Sequence, residues 1–210
     1  MKKVIKNEDK KGDDKKFKKY LKWIIVIGLL VFFIVGFSYS NLLKGKYKVE
    51  IKIKEYGSII AELDADTAPI TVTNFIKLVD EKFYDGLTFH RIIEDFMIQG
   101  GDPDANGTGN AGYSIKGEFA NNGYNNDISH VRGTISMARG SYKDSASSQF
   151  FIVQKDSTHL DGDYAAFGKV TKGMEIVDKI AKDLSKLGDD NGLIPNEKQP
   201  KIEYIKVIEK

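Results

Sequence analysis

The sequence predicts a mainly β domain, an antiparallel barrel or sandwich with one early and one late helix, behind a single membrane-crossing segment. Three observations carry this reading. Short apolar runs recur from Val49 onward, separated by Gly/Asn/Asp/Ser clusters. Helical periodicity occurs in two places only, "DTAPITVTNFIKLVDEKFYDG" and "GMEIVDKIAKDL". Residues 23–39, "WIIVIGLLVFFIVGFSY", carry no charge at all.

At the N-terminus, residues 1–22 form a Lys-rich, low-complexity tail that cannot bury enough apolar surface to fold alone. Up to Lys48 there are 13 Lys against 4 Asp/Glu, a net of +9; the whole chain is +2, which leaves −7 for the remainder. An acidic folded part without a Lys/Arg stripe is no nucleic-acid-binding domain. The chain has no Cys, which excludes disulfides, thiolate metal sites, a thiol nucleophile and a lipidated N-terminal Cys.

The uncharged run is just long enough to cross the hydrocarbon layer, which takes roughly 17–25 helical residues. Trp23 and Tyr39 sit at its ends, where amphipathic rings favour the interface. A buried soluble helix would show a polar stripe, and none is present. Residues 23–40 are therefore read as a retained anchor. Lys is denser before Trp23 than after Tyr39, so the tail is expected in the cytoplasm and the folded domain outside. The alternative is a signal sequence cleaved near Ser40, with a secreted product.

Residues 41–48 read as a linker, and 49–210 as the folded domain. "VEIKIK" alternates at period two, turns at Tyr56-Gly57-Ser58 and returns as "IIAEL", a hairpin with one buried face. Asp66 or Thr67 is expected to cap the first helix, with Pro69 in its first turn and Phe75, Ile76, Leu78, Val79 and Phe83 as its apolar stripe. "LTFHRII", "FMIQGG", "GTISMA", "SQFFIVQ" and "YAAFGKV" read as short strands. The second helix follows, and "KIEYIKVIE" closes the chain as a strand.

The stretch "GGDPDANGTGNAG" (100–112) matches three motifs at once. Gly107-x-Gly109-x-x-Gly112 has dinucleotide-turn spacing, but Pro103 intervenes and no helical period follows. Asp102-x-Asp104-x-Asn106-Gly107 opens like a calcium loop, but Tyr113 stands where the bidentate acid belongs. Asn106-Gly107-Thr108 is a sequon, which matters only where glycosylation machinery exists. What is left is a glycine-rich wall beside something else.

The flanking segments say what that is. "FHRIIEDFMIQGGD", "GTISMAR", "SSQFFIVQ" and "HLDGDYAAFGKV", in this order, resemble the cyclophilin family of peptidyl-prolyl cis–trans isomerases over about residues 49–209. The resemblance implies a closed eight-stranded antiparallel β-barrel capped by two helices, with the site on its outer face. It places the catalytic arginine at Arg91, with Gln99 beside it. Phe96, Met97, Ala138, Gln149, Phe151 and Leu160 match its peptide-binding positions, and Gly109 lies in the loop bordering the groove. Arg139 stands where Asn is usual, and Tyr164 where many eukaryotic members have His. His159 replaces a Trp that contacts cyclosporin, which implies weak cyclosporin binding. Glu94-Asp95 stands where Pro-Gly is frequent, a surface change expected to be neutral.

These residue types suit amide rotation. The barrier, about 18–20 kcal/mol, comes from the double-bond character of the C–N bond. In the twisted state the prolyl nitrogen regains a lone pair, to which a guanidinium donates far better than to the planar amide. The expected partner is a proline-containing segment of a folding, exported protein, with no cofactor, no metal and a monomeric chain. A proline-peptide binder without turnover, on the same barrel, is the alternative. Without context Arg91 would be a solvated residue, and Phe96, Met97 or Phe151 could belong to the core. His90, His130 and His159 share no metal-ligand spacing. "KDSASSQF" has serines but no G-x-S-x-G elbow and no paired base, so a hydrolase is not expected.

Overall fold

The computed structural model describes residues 20–24, 27 and 42–210. Contacts divide the chain into Met1–Leu42 and Leu43–Lys210. The expected Lys-rich tail, the span 23–40 and the cleavage point near Ser40 lie largely outside the described residues. Among the described residues no helix is long and apolar enough to cross a membrane.

The second unit runs β1 (Lys46–Ile53), β2 (Gly57–Asp64), α1 (Pro69–Asp80), β3 (Thr88–Ile93), β4 (Met97–Asp102), β5 (Thr134–Met137), β6 (Phe150–Val153), β7 (Ala166–Lys172), α2 (Met174–Leu184) and β8 (Ile202–Glu209). All strands pair antiparallel in one eight-stranded sheet of order β3-β4-β6-β5-β7-β2-β1-β8. The outermost strands meet at an isolated bridge between Thr88 and Lys201. Beside it, the Phe89 N–H donates to Pro200 O (3.0 Å) and the Ile202 N–H to Leu87 O (2.8 Å). At this seam a bridge and single hydrogen bonds stand where a closed barrel would carry a ladder.

Alternation decides which face each strand buries. In β1, Val49, Ile51 and Ile53 are fully buried, as are Ile59, Ala61 and Leu63 in β2. β1 begins at Lys46, inside the segment read as linker, because Lys46 pairs with Asp64 and Tyr47 with Leu63. Tyr47 also packs against the core, which extends the ladder past the obvious alternation.

The helix α1 starts differently from expectation. Neither Asp66 nor Thr67 caps it: the cap residue is Ala68, which makes no side-chain capping bond. Its first-turn donors go instead to Glu118, a buried residue far along the chain. One Glu118 oxygen accepts from the Ile70 N–H (3.0 Å), the other from the Thr71 N–H and hydroxyl (2.7 Å each). A helix start buried under a loop has no water for these groups, so a carboxylate from that loop takes them. Burial pushes the Glu118 carboxyl up, while the Ile70 and Thr71 donors pull it back. The stripe of α1 is as expected, except that Phe83 lies beyond the helix end and is only half-buried. Phe75 packs on Tyr84, Phe150 and Phe167 at ring distances of 5.0, 5.4 and 5.3 Å, the aromatic centre of the core.

Candidate active site

The pleat that fills the core also builds the site. Ile98, Ile135, Phe150 and Ile152 point into the main core. Their neighbours Met97, Phe151 and Val153 form a separate cluster, packed by Ile93, Phe96, Ala138, Leu160 and Tyr164. Phe96, Met97 and Phe151 therefore belong to this second cluster and not to the main core.

A β-bulge aims the arginine. Phe89 pairs with Gly100 and Arg91 with Gln99, so His90 is the extra residue in β3. Bulges of this kind re-aim side chains beside functional sites. Phe89 and Ile92 both stay buried in the core, and Arg91 faces the outer cluster, half-buried. His90 is itself fully buried, and neither ring nitrogen has a hydrogen-bond partner. Burial pushes its pKa down, which keeps it neutral.

Two adjoining cavities result. One of about 140 Å³ is lined by Arg91, Phe96, Met97, Gln99, Ala138, Arg139, Phe151, Leu160 and Tyr164. The other, about 260 Å³, shares Gln99, Ala138 and Arg139 with it and adds Gln149 and the loop from Gly107 to Asn110. All eleven positions singled out from the sequence thus line one or both cavities.

The polar side chains are chained together. The Arg91 Nε–H donates to the Asn191 carbonyl at 2.7 Å and Nη1 to Gln99 Oε1 at 3.2 Å. Gln99 Nε2 donates to Gln149 Oε1 at 2.8 Å, and Gln149 Nε2 donates to the Gly109 and Gly107 carbonyls at 2.8 and 3.1 Å. Arg91 Nη1 also lies 4.0 Å from Met97 Sδ. Burial lowers the Arg91 pKa from its ordinary value, while nearby Tyr164 and Asp189 raise it; a guanidinium remains charged throughout.

The glycine loop is explained by one residue. Asp102 is fully buried, and its carboxylate accepts from the backbone N–H groups of Asp104 (2.8 Å), Asn106 (3.1 Å) and Gly107 (2.5 Å). The acid that made the stretch resemble a calcium loop is engaged in shaping it. A Cβ on Gly109 would lie on Asp102 Oδ1 and at 2.8 Å from the Asp104 N. Gly109→Ala is expected to destabilise the fold by about 1–3 kcal/mol, the range for overpacking. It should also raise KM for a proline peptide, because Gln149 hangs on the Gly109 carbonyl. Denaturant titration alongside isomerase kinetics checks both.

Arg139 lines both cavities and also packs on aromatic rings. Its guanidinium lies between two rings, 5.3 Å from the Phe119 centroid and 4.8 Å from that of Tyr164. Its Nε–H donates to Asp163 O at 2.9 Å and its Nη1 to Gly140 O at 2.9 Å. Backbone carbonyls fix the guanidinium against the Tyr164 ring. Asp95, in the turn expected to be neutral, adopts φ +62°, a left-handed value that explains why Gly is frequent there.

One feature escaped the sequence reading. His130 is almost fully buried beneath Phe151, with its ring stacked at 6.0 Å and 18°. Its Nδ1 lies 2.8 Å from Asp161 Oδ1 and its Nε2 3.0 Å from Ser136 Oγ. This is a Ser–His–Asp arrangement, but Ser136 is fully buried and lines neither cavity, so it has no access to a substrate. It forms the floor of the cup: burial pushes the His130 pKa down despite Asp161, which favours the neutral ring. His159, which the resemblance put at the groove, stacks on Phe96 at 5.8 Å. The residues of the His130 floor come from separate segments, so no local spacing announces it. Among the described residues no cluster of His, Cys, Asp and Glu could hold a metal.

The chain is similar in sequence and fold to known proteins. A family model described as "Cyclophilin type peptidyl-prolyl cis-trans isomerase/CLD" matches residues 48–207. Peptidyl-prolyl cis-trans isomerase B of Bacillus subtilis is 47% identical over 133 residues, covering 63% of this chain and 87% of that protein. A peptidyl-prolyl cis-trans isomerase of Helicobacter pylori is 46% identical over 126 residues, covering 59% and 74%. The fold also superposes on a cyclophilin type peptidyl-prolyl cis-trans isomerase of Cryptosporidium parvum, crystallised in the presence of the dipeptide Ala-Pro. That match has a TM-score of 0.67 and 28% identity, covering 78% of this chain and 99% of that one.

Proposed function

Because the chain belongs to the cyclophilin-type peptidyl-prolyl cis-trans isomerase family, we propose that Arg91 drives X-Pro rotation here while the outer cluster holds the proline ring. The activity itself is that of the family: rotation about the bond preceding proline, with no bond made or broken. That rotation takes tens to hundreds of seconds unaided, slow enough to limit folding.

Phe96, Met97, Phe151 and Leu160 form an apolar cup for the pyrrolidine ring, with Tyr164 at its rim. The cup fixes one side of the bond. On the other side, Gln99 and the backbone near Ala138 and Arg139 face the second cavity, where peptide amides and carbonyls find partners. The twisting carbonyl is left free to swing. Arg91 is half-buried beside the cup, where a charge acts more strongly than in water. As the amide twists, its nitrogen becomes an acceptor, and a guanidinium hydrogen meets it. The interaction grows from ground state to transition state, which is what lowers the barrier. The observation that carries this reading is the chain Asn191–Arg91–Gln99–Gln149: it fixes the guanidinium at Nε and Nη1 while Arg91 lines the cup. Its test is Arg91→Ala, which should lose most of the isomerisation of a proline-containing peptide while remaining folded.

We further propose that residues 23–39 anchor the enzyme, with the Lys-rich tail cytoplasmic and the isomerase domain outside, where exported chains fold. The uncharged run and the Lys asymmetry support this, as do the exposed side chains of Leu21, Trp23, Ile24 and Ile27. After cell lysis, the full chain should sediment with membranes, withstand alkaline carbonate and be released by detergent. A shorter form in the medium, beginning near Asn41, would replace the anchor with a cleaved leader.

A further inference from the structure

The catalytic cation is held from behind by a segment that the sequence motifs do not touch. β3 lies at the edge of the strand order, and residues 189–194 run along its open side. The Ile92 N–H donates to Gly192 O (2.9 Å), the Ile194 N–H donates to His90 O (2.8 Å), and Arg91 bridges to Leu193. From this strap the Asn191 carbonyl reaches Arg91 Nε at 2.7 Å.

The strap keeps its shape through one carboxylate. Asp189 Oδ1 accepts from the N–H groups of Asn191 and Leu193, both at 2.9 Å, and the Gly192 N–H returns to Asp189 O at 2.8 Å. Gly192 has φ +82°, and a Cβ there would meet Ile93 Cγ1 at 2.5 Å and Ile92 O at 3.0 Å. Only glycine lets the strap lie this close to β3. Without Asp189 the strap backbone loses both caps next to the carbonyl that holds Arg91, and the guanidinium is free to turn about its last bonds.

We propose that the Asp189–Leu193 strap is a positioning element for Arg91: Asp189 holds out the Asn191 carbonyl, which locks the guanidinium at Nε beside the cup. The proposal rests on Arg91 acting as read above. Asp189 and Asn191 are exposed and line neither cavity, so they act through Arg91 and not on the peptide.

The test uses the full chain and a proline-containing test peptide. In Asp189→Ala, kcat should fall about tenfold while KM stays within about twofold, since the cup and the second cavity are untouched. Asp189→Asn should restore kcat to within about twofold of wild type, because an amide oxygen accepts from the same two N–H groups. The Arg91 Nε–H, followed by NMR, should exchange with solvent at least about tenfold faster in Asp189→Ala and slowly in Asp189→Asn. Wild-type kcat in Asp189→Ala with Arg91→Ala inactive would overturn the strap alone. So would a rise in KM at constant kcat, a failure of Asn to rescue, or unchanged Nε–H exchange. Full activity in Arg91→Ala would overturn the reading of the site as well.

Discussion

Arg91→Ala is expected to lower kcat/KM for a proline-containing peptide by about two to three decades, a loss of ~3–4 kcal/mol of transition-state stabilisation. The size follows from where the charge sits. Arg91 is half-buried, and two of its nitrogens are already committed to Asn191 and Gln99, so little reorganisation is needed as the amide twists. The fold should survive, because the lost hydrogen bonds are worth about 1 kcal/mol each and the Asn191 carbonyl is open to water. Arg91→Lys should recover little, since a point charge lacks the planar fork that is held at Nε and Nη1. Exchange spectroscopy on cis and trans peptide resonances measures the rate, and far-ultraviolet circular dichroism with a denaturant titration measures the fold. Turnover equal to wild type, with the variant folded, would remove Arg91 from the mechanism. A wild-type chain that binds the peptide without speeding exchange would make it the binding module set out as the alternative.

How much of this could be read from the sequence depends on whether the signal was local. β1 and β2 announce themselves because Val49, Ile51 and Ile53 alternate at period two, as do Ile59, Ala61 and Leu63, with Val49 opposite Ala61 and Ile51 opposite Ile59. That the eleven candidate positions line two adjoining cavities was legible through motif order, since each motif fell on a strand or loop that the sheet brings to one face. Long-range polar contacts were not. Glu118 caps α1 from 47 positions away, so the local rule pointed at Asp66 and Thr67. Asp161 meets His130 across 31 positions, and Asn191 meets Arg91 across 100. Neither pairing leaves a trace in spacing. The stretch 100–112 illustrates the converse: its acids and glycines matched calcium and nucleotide patterns because all such loops must satisfy bare backbone N–H groups. Here Asp102 does so itself.

The adjacent pair Phe150 and Phe151 separates folding from catalysis within one dipeptide. Phe150 is fully buried, with Phe75, Tyr84 and Phe89 around it at ring distances of 5.4, 5.6 and 5.9 Å. Truncating it leaves a void among close-packed rings, so Phe150→Ala should cost ~3–5 kcal/mol of unfolding free energy. Domains of this size hold only ~5–15 kcal/mol in reserve, so the variant should unfold at markedly lower denaturant. What remains folded should bind the peptide nearly as well as wild type, because Phe150 does not line either cavity. Phe151 points the other way. It lines the cup, lies over His130 and meets Tyr164 edge-on at 6.0 Å. A cavity already lies beside it, so Phe151→Ala should cost less than half as much stability. It should lower kcat/KM by about ten- to a hundredfold, since burying a Phe surface is worth ~1.5–3 kcal/mol and the proline loses that wall. Urea titrations and isomerase kinetics on the two variants check the split. Equal losses of stability, or a Phe151→Ala variant with unchanged kcat/KM, would mean that the strand does not divide its faces between core and cup, and the outer cluster would lose its place in the reaction.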